Sequence, residues 1–378
     1  MRQTIKLGTI AGIRVGLNGG AIIILLLLGA GLAFGRLPAE APDRPVVVYI
    51  LVGLAAAALF LASVLAHEVA HALVARRSGV EVESITLWLL GGVAQLKGEP
   101  RTPGAEFRIA AVGPLTSLVL GLIFGGLAVG IDTIGVDLIG VSLAWYLALS
   151  NVVLALFNLV PASPLDGGRI LRAAVWRATG DRVRSAVVAS RIGRLFGLAL
   201  IVVGLAQVVL RGWLAGLWWA LIGWFLVQAA TAEQQRAVLG RQLHGVRIDQ
   251  VMTPDPITAS PDERIADFVE HSVLRHRFST YPLVNADGQF AGLVTLNRIR
   301  AVPAEKRATS RLVDVACAPG DVPTTHADEQ VIDLLPRLAG CADGRAVVLD
   351  SAGRVVGVVS PSDLSRLMAI ADLRPTGA

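Results

Sequence analysis

Uncharged apolar runs at 17–35, 46–66, 109–131, 138–164, 195–210 and 212–231 dominate the first 231 residues. A helix needs about 20 apolar residues to cross the hydrocarbon of a bilayer, and lipid offers no partner for an unpaired peptide group. The runs therefore predict a polytopic α-helical membrane domain with about six transmembrane helices in a lipid bilayer. The run at 195–210 is short and needs its flanks to span. The first run follows Arg2, Lys6 and Arg14, yet it exceeds the length of a signal-peptide core and has no small-residue cleavage site before Arg36, so it is read as retained.

Charge sets the expected orientation. Residues 1–231 carry 18 Lys+Arg against 11 Asp+Glu, whereas residues 232–378 carry 16 against 18. The basic half is the apolar half, which fits Arg side chains at a membrane surface and argues against a nucleic-acid partner. One side would hold the N-terminus, Arg76, Arg77, Lys97, Arg101 and Arg108, and the Arg-rich stretch 169–194. The other would hold Arg36, Arg44 and Arg211 with Asp132 and Asp137. The positive-inside rule then places the N-terminus, both Arg-rich loops and the C-terminal third in the cytoplasm of a multi-pass plasma-membrane protein.

Of six histidines, only His67 and His71 fall in the first 243 residues, flanking Glu68 as His67-Glu68-Val69-Ala70-His71. At i and i+4 on a helix both imidazoles share one face, as two ligands of one Zn²⁺ require, and Glu68 stands where it can take a proton from water. Leaving three such groups in a membrane with no ion is costly. A catalytic zinc takes a third protein ligand and keeps a fourth position for water. Asp166, in Leu165-Asp166-Gly167-Gly168-Arg169, is the candidate, because the run before it ends on the side where His71 precedes Arg76 and Arg77. Its alternative role is a turn or N-cap residue before a helix starting near Gly168.

Residues 83–96 mix β-branched and apolar side chains around Gly91-Gly92 and read as a hairpin or re-entrant loop after the histidine helix. Leu89, Gly91, Gly92 and Val93 are the candidate residues for clamping an unwound substrate by strand addition; the alternative is an ordinary interfacial hairpin. An unwound substrate is needed because the carbonyls of a helix are occupied by its own hydrogen bonds.

After residue 231 hydropathy drops. Residues 232–245 read as a helical extension or linker, 246–371 as a soluble module and 372–378 as a tail. The module repeats with a period of 65 residues: Asp249 matches Asp314, Gly288 matches Gly353 and Gly292 matches Gly357. The copies, 246–302 and 309–371, each read β-α-β-β-α, with helical patterns at 266–274 and 330–338 and turns at Gly288 and Gly353. Cys317 and Cys341, the only cysteines, read as two separate thiols in a reducing compartment.

Taken in order, His67-Glu-Val-Ala-His71, Gly91-Gly92, Glu106-Phe107 with Gly113-Pro114, Phe157-Asn158-Leu-Val-Pro161 and Leu165-Asp166-Gly167-Gly168 resemble the site-2 protease family of intramembrane zinc metalloproteases, in particular its prokaryotic members with C-terminal CBS domains. The resemblance covers roughly residues 10–230 and, for the CBS pair, 246–371. It implies one zinc held by His67, His71 and Asp166, Glu68 as catalytic base, Asn158 as an oxyanion partner, and single-span membrane proteins as substrates.

For the module it implies a tandem CBS pair, which commonly binds ATP, ADP or AMP and associates as a homodimer. The ribose pattern is whole in Gly357-Val-Val-Ser360-Pro-Ser-Asp363; the first copy, Gly292-Leu-Val-Thr295-Leu-Asn-Arg298, has Arg298 in place of Asp, where it could meet a phosphate. Ser360, Asp363 and Thr295 are the expected nucleotide residues, with one site per chain. A CBS pair can also serve as a ligand-free docking unit, and a CBS-gated transporter or channel is the alternative for the whole chain. The membrane half shows no inverted repeats to favour a transporter.

Overall fold

The computed structural model describes residues 4–88, 91–135, 138–243, 245–338 and 340–371, with residues 93, 94, 96, 97, 138, 242, 368 and 371 described by backbone alone. Contacts divide the chain into two compact units, Met1–Ala237 and Val238–Ala378.

In the first unit a hairpin of β1 (Ile5–Ile10) and β2 (Ile13–Leu17) leads into α1 (Gly19–Gly31), which continues through a π-turn at Leu32–Arg36 into α2 (Leu37–Glu40). The Asn18 side chain caps α1 by accepting from the Gly20 N–H at 3.0 Å. Next come α3 (Val46–Arg77), β3 (Glu81–Trp88), β4 (Gly91–Lys97), α4 (Pro103–Thr133), α5 (Leu138–Asn158), the short amphipathic α6 (Asp166–Thr179), α7 (Arg182–Arg211) and α8 (Gly216–Leu243).

Among the described residues five helical spans are long and apolar enough to cross a membrane: Gly19–Glu40, Val46–Arg77, Pro103–Thr133, Ile139–Asn158 and Arg182–Arg211. The short run at 195–210 thus gains the flanks it needed. The run at 212–231 is helical from Gly216, within α8, but stands outside these five; Gln228 and Glu233 lower the hydropathy of that helix. Helices α7 and α8 meet through small residues. A Cβ on Gly223 would lie 2.4 Å from the Gly197 carbonyl oxygen, and one on Gly204 would lie 2.4 Å from that of Gly216. Such backbone approach is how helices associate in lipid, where no hydrophobic force separates tail from side chain.

Helix α3 runs 11 residues beyond the apolar stretch at 46–66, and at 1.5 Å per residue it is about 48 Å long, more than the ~30 Å of hydrocarbon. Its extra turns carry His67, Glu68 and His71 and end at Arg76 and Arg77. The chain then reverses at Gly79, which has φ +80, into the β3–β4 hairpin, with Trp88 paired to Gly91. The sheet order is β1-β2-β3-β4, with β2 parallel to β3, so β4 lies at an edge. The expected hairpin is present. The β1–β2 hairpin was not anticipated; its partner β3 comes after a long helical crossover, which local patterns do not reveal.

The second unit follows the β-α-β-β-α order twice: β5 (Thr253–Pro254), α9 (Ile265–Phe268), β6 (Thr280–Val284), β7 (Phe290–Thr295) and α10 (Leu296–Ala301), then β8 (Thr324–Thr325), α11 (Val331–Leu334), β9 (Ala346–Leu349), β10 (Val355–Val359) and α12 (Pro361–Ala371). The repeats are interlaced, since β5 pairs with β10 in the sheet β5-β10-β9-β8 while β6 and β7 form a two-stranded sheet. Ile265, Phe268, Tyr281, Leu283 and Leu312 fill one core, and Val331, Leu334, Val348 and Val359 fill the other with Leu243 and Ile248. Residues 232–243, expected as a helical extension or linker, are helical within α8. Cys317 and Cys341 correct the expectation of separate thiols: they form a disulfide, with Cα atoms 6.0 Å apart. Backbone hydrogen bonds between Cys317 and Leu293 fix one of the two positions.

Candidate metal centre

Helix α3 presents His67 and His71 on one face, α6 begins at Asp166, and all three side chains are buried. Their ligand atoms converge. His67 Nε2 and His71 Nε2 are 3.1 Å apart, and Asp166 Oδ2 lies 3.2 Å from the first and 3.1 Å from the second. Ligands about 2.1 Å from a tetrahedral ion stand roughly 3.4 Å from one another. The triangle is close to what one zinc requires, and it is a group that could hold a metal ion.

The other ring nitrogens settle which atoms face inward. His71 Nδ1 lies 2.6 Å from the Ile109 carbonyl, which can only accept, so Nδ1 carries the proton and neutral His71 points its lone pair at the centre. His67 Nδ1 lies 2.9 Å from the Ser117 hydroxyl. Two imidazole nitrogens and a carboxylate oxygen then meet at one point, and a small cation of nitrogen and oxygen preference resolves their mutual repulsion.

Helix α4 supplies these orienting groups and also the room. A Cβ on Gly113 would lie 2.2 Å from His71 Nε2 and 2.6 Å from His67 Nε2, so a side chain there would collide with both rings. Asp166 does not act as an N-cap, the alternative its position allowed. It is the first residue of α6, the cap is Leu165, and its carboxylate faces the Nε2 atoms of the two histidines. Gly167 and Gly168 let this first turn pack beneath the preceding loop, within 2.3 Å of the Leu159 and Val160 carbonyl oxygens and 2.4 Å of the Ser163 nitrogen for an added Cβ.

A cavity of about 290 Å³ opens on the cluster, lined by His67, Glu68, His71, Gly92, Asn158, Asp166 and Arg169 among others. Glu68 and the β4 backbone touch: a Cβ on Gly92 would lie 2.2 Å from Glu68 Cγ. Asn158 reaches the cavity from the end of α5, with its amide donating to the Leu154 carbonyl at 3.0 Å. Gly91 lines a separate apolar cavity with Trp88, Phe60 and Leu28. Of the remaining clamp candidates, Leu89 lies outside the described residues, and Val93 is placed by its backbone opposite Thr86. Sequence reading missed Ser117, Gly113 and the Ile109 carbonyl as second-layer partners, and gave no role to Arg169.

In the second unit the expected nucleotide residues already have partners. Thr295 donates to Asp343 at 2.8 Å. Asp363 accepts from the Ser360 N–H at 2.8 Å and hydroxyl at 2.6 Å, and from Thr253 at 3.2 Å. Arg298, a candidate for a phosphate, donates instead to the Val315 carbonyl at 2.8 Å, and its Nε lies 3.5 Å from that of Cys341.

Comparison with known proteins is consistent along the chain. Residues 55–138 and 136–204 match the family model of peptidase family M50, and residues 248–305 and 316–370 match that of the CBS domain. The chain is 44% identical over 370 residues to a candidate zinc metalloprotease, Rip3, of Mycobacterium tuberculosis, covering 98% of this chain and 94% of that one. It is 30% identical over 316 residues to the zinc metalloprotease MJ0392 of Methanocaldococcus jannaschii, covering 84% and 85%. A solved structure, the site-2 protease from Methanocaldococcus jannaschii, is 30% identical, covers 61% of this chain and 94% of its own, and superposes with a TM-score of 0.42.

Proposed function

This chain belongs to peptidase family M50, the site-2 metalloproteases, and carries a CBS pair; from that premise we propose that it is a zinc-dependent endopeptidase that cuts the membrane-spanning segments of single-span membrane proteins. Family membership removes the transporter alternative. The observation that carries the reading is the triangle of His67, His71 and Asp166, with Glu68 beside it and the Gly92 backbone against Glu68.

A zinc ion held by His67, His71 and Asp166 would supply a Lewis acid that polarises the scissile carbonyl and makes water acidic enough to attack at neutral pH. Glu68 accepts the proton of the attacking water and hands it to the leaving amine. Asn158, once its amide leaves the Leu154 carbonyl, donates to the substrate oxygen as it gains charge. The free edge of β4 pairs with the unwound substrate and brings its backbone past Glu68. These roles divide the chain into a catalytic membrane domain at 1–231 and a CBS pair at 246–371, the latter in the cytoplasm with the N-terminus, at the plasma membrane.

We further propose that the CBS pair, as a homodimer, regulates cleavage through one adenine nucleotide at Ser360 and Asp363. The nucleotide would replace the hydrogen bonds that these residues now make to each other, and it can alter cleavage only by binding two arrangements of the pair unequally.

The test compares a single-span reporter with a soluble peptide of the same scissile sequence, using purified protein in detergent and in liposomes. Cleavage of the reporter within its apolar segment supports the proposal. Cleavage only outside that segment, or of the soluble peptide alone, contradicts it.

A further inference from the structure

Behind the metal centre, three ionisable side chains from three helices meet. Glu106 of α4 is fully buried, the side chain of Arg172 of α6 is 14% exposed, and that of Glu233 of α8 is 28% exposed. Arg172 pairs with Glu106 through Nε and Nη2 and donates Nη1 to Glu233 at 3.1 Å. The second oxygen of Glu233 accepts from the Ser163 hydroxyl. A carboxylate as buried as that of Glu106 is kept only when paired, and the planar guanidinium fork can hold two carboxylates at once in fixed directions.

The place of this cluster in the chain gives it a purpose. Ser163 lies three residues before Asp166 and Arg172 six residues after it on the same helix, so Glu233 holds the metal-facing residue from both sides. Through Glu106 the same arginine joins α6 to α4, the helix whose Ser117 and Ile109 orient the two imidazoles. The polar contacts of the Asp166 carboxylate are with His67 and His71 alone among the described residues. Its position is therefore set by where the first turn of α6 stands, and α6 is fastened by Arg172.

We propose that Arg172, held between Glu106 and Glu233, is a positioning residue that sets the distance of Asp166 from His67 and His71. The inference rests on the reading of those three residues as the metal-binding set. Loosening the cluster lets α6 move relative to α3 and α4, which opens the ligand triangle without removing any ligand. Partners in this outer layer typically change metal affinity by about 10- to 100-fold.

The test uses the full-length chain in detergent with Co²⁺ as the probe, read by its visible absorption and by competition with a chromophoric chelator. Glu233→Ala leaves the Arg172–Glu106 pair in place. The double variant Glu106→Gln/Arg172→Met removes Arg172 together with its fully buried partner and leaves Glu233, the most exposed of the three, with Ser163. Both are expected to bind Co²⁺ about 10- to 100-fold more weakly than wild type with an altered spectrum, and Glu233→Gln, which keeps hydrogen-bonding atoms for Ser163 and Arg172, to recover the wild-type spectrum. Wild-type affinity and spectrum in both disrupted variants, alongside loss of binding in Asp166→Ala, would overturn the positioning role. Wild-type binding in Asp166→Ala would instead overturn the metal set on which it rests.

Discussion

Glu68 and Gly92 are packed so closely that a Cβ on the glycine would lie 2.2 Å from Cγ and 2.7 Å from Cδ of the glutamate. The strand proposed to pair with substrate and the proposed proton acceptor therefore share one surface. Gly92→Ala must displace either Glu68 or β4, and a misplacement of about 1 Å can cost on the order of 100-fold in rate. Because Glu68 is not in the ligand triangle, zinc content should stay at the wild-type level while reporter cleavage falls by about that factor. Unchanged cleavage would mean that the strand yields freely and that the contact has no catalytic consequence.

Ser117 makes a different prediction. Its hydroxyl is 2.9 Å from His67 Nδ1, so Ser117→Ala removes a partner that helps hold the ring. Zinc affinity, measured by chelator competition, should fall by about 10- to 100-fold with the helix content unchanged. An unaltered affinity would show that packing alone orients His67.

In the CBS pair, Ser360 and Asp363 form a reciprocal cap on α12, with the Asp363 carboxylate accepting from the Ser360 N–H at 2.8 Å and the Ser360 hydroxyl 3.4 Å from the Asp363 N–H. The residues that resemble a ribose-binding pattern thus hold the helix in place without a ligand. Asp363→Ala should destabilise the CBS unit by about 1 kcal/mol in the absence of nucleotide, seen as earlier loss of amide-exchange protection at 361–371 in the full-length chain. Unaltered protection would assign this side chain to ligand binding alone.

How much the sequence disclosed varied with the range of the interaction. His67 and His71 were legible because one helical turn separates them, and the CBS repeats because their turns recur at Gly288 and Gly353. Asp166 was reachable through topology, by asking which acid returns to the depth of His71, and through the motif in which it stands. Ser117 was not reachable, nor was the contact of Gly113 with the imidazoles, since a serine or glycine in an apolar helix looks the same whether or not it faces one. The Arg172 cluster joins residues 61 and 66 positions apart, and nothing local distinguishes that arginine from its neighbours Arg169 and Arg177. The parallel pairing of β2 with β3 was hidden for the same reason, because it spans two intervening helical segments.

Zinc content and reporter cleavage of wild type, Glu68→Gln and Asp166→Ala, measured side by side, test the central claim most directly. The arrangement predicts about one zinc per chain in wild type and in Glu68→Gln, and much less in Asp166→Ala. It predicts cleavage by wild type, with a loss of at least about 100-fold in Glu68→Gln. Full zinc in Asp166→Ala, or wild-type cleavage by Glu68→Gln, would contradict the assignment of these residues.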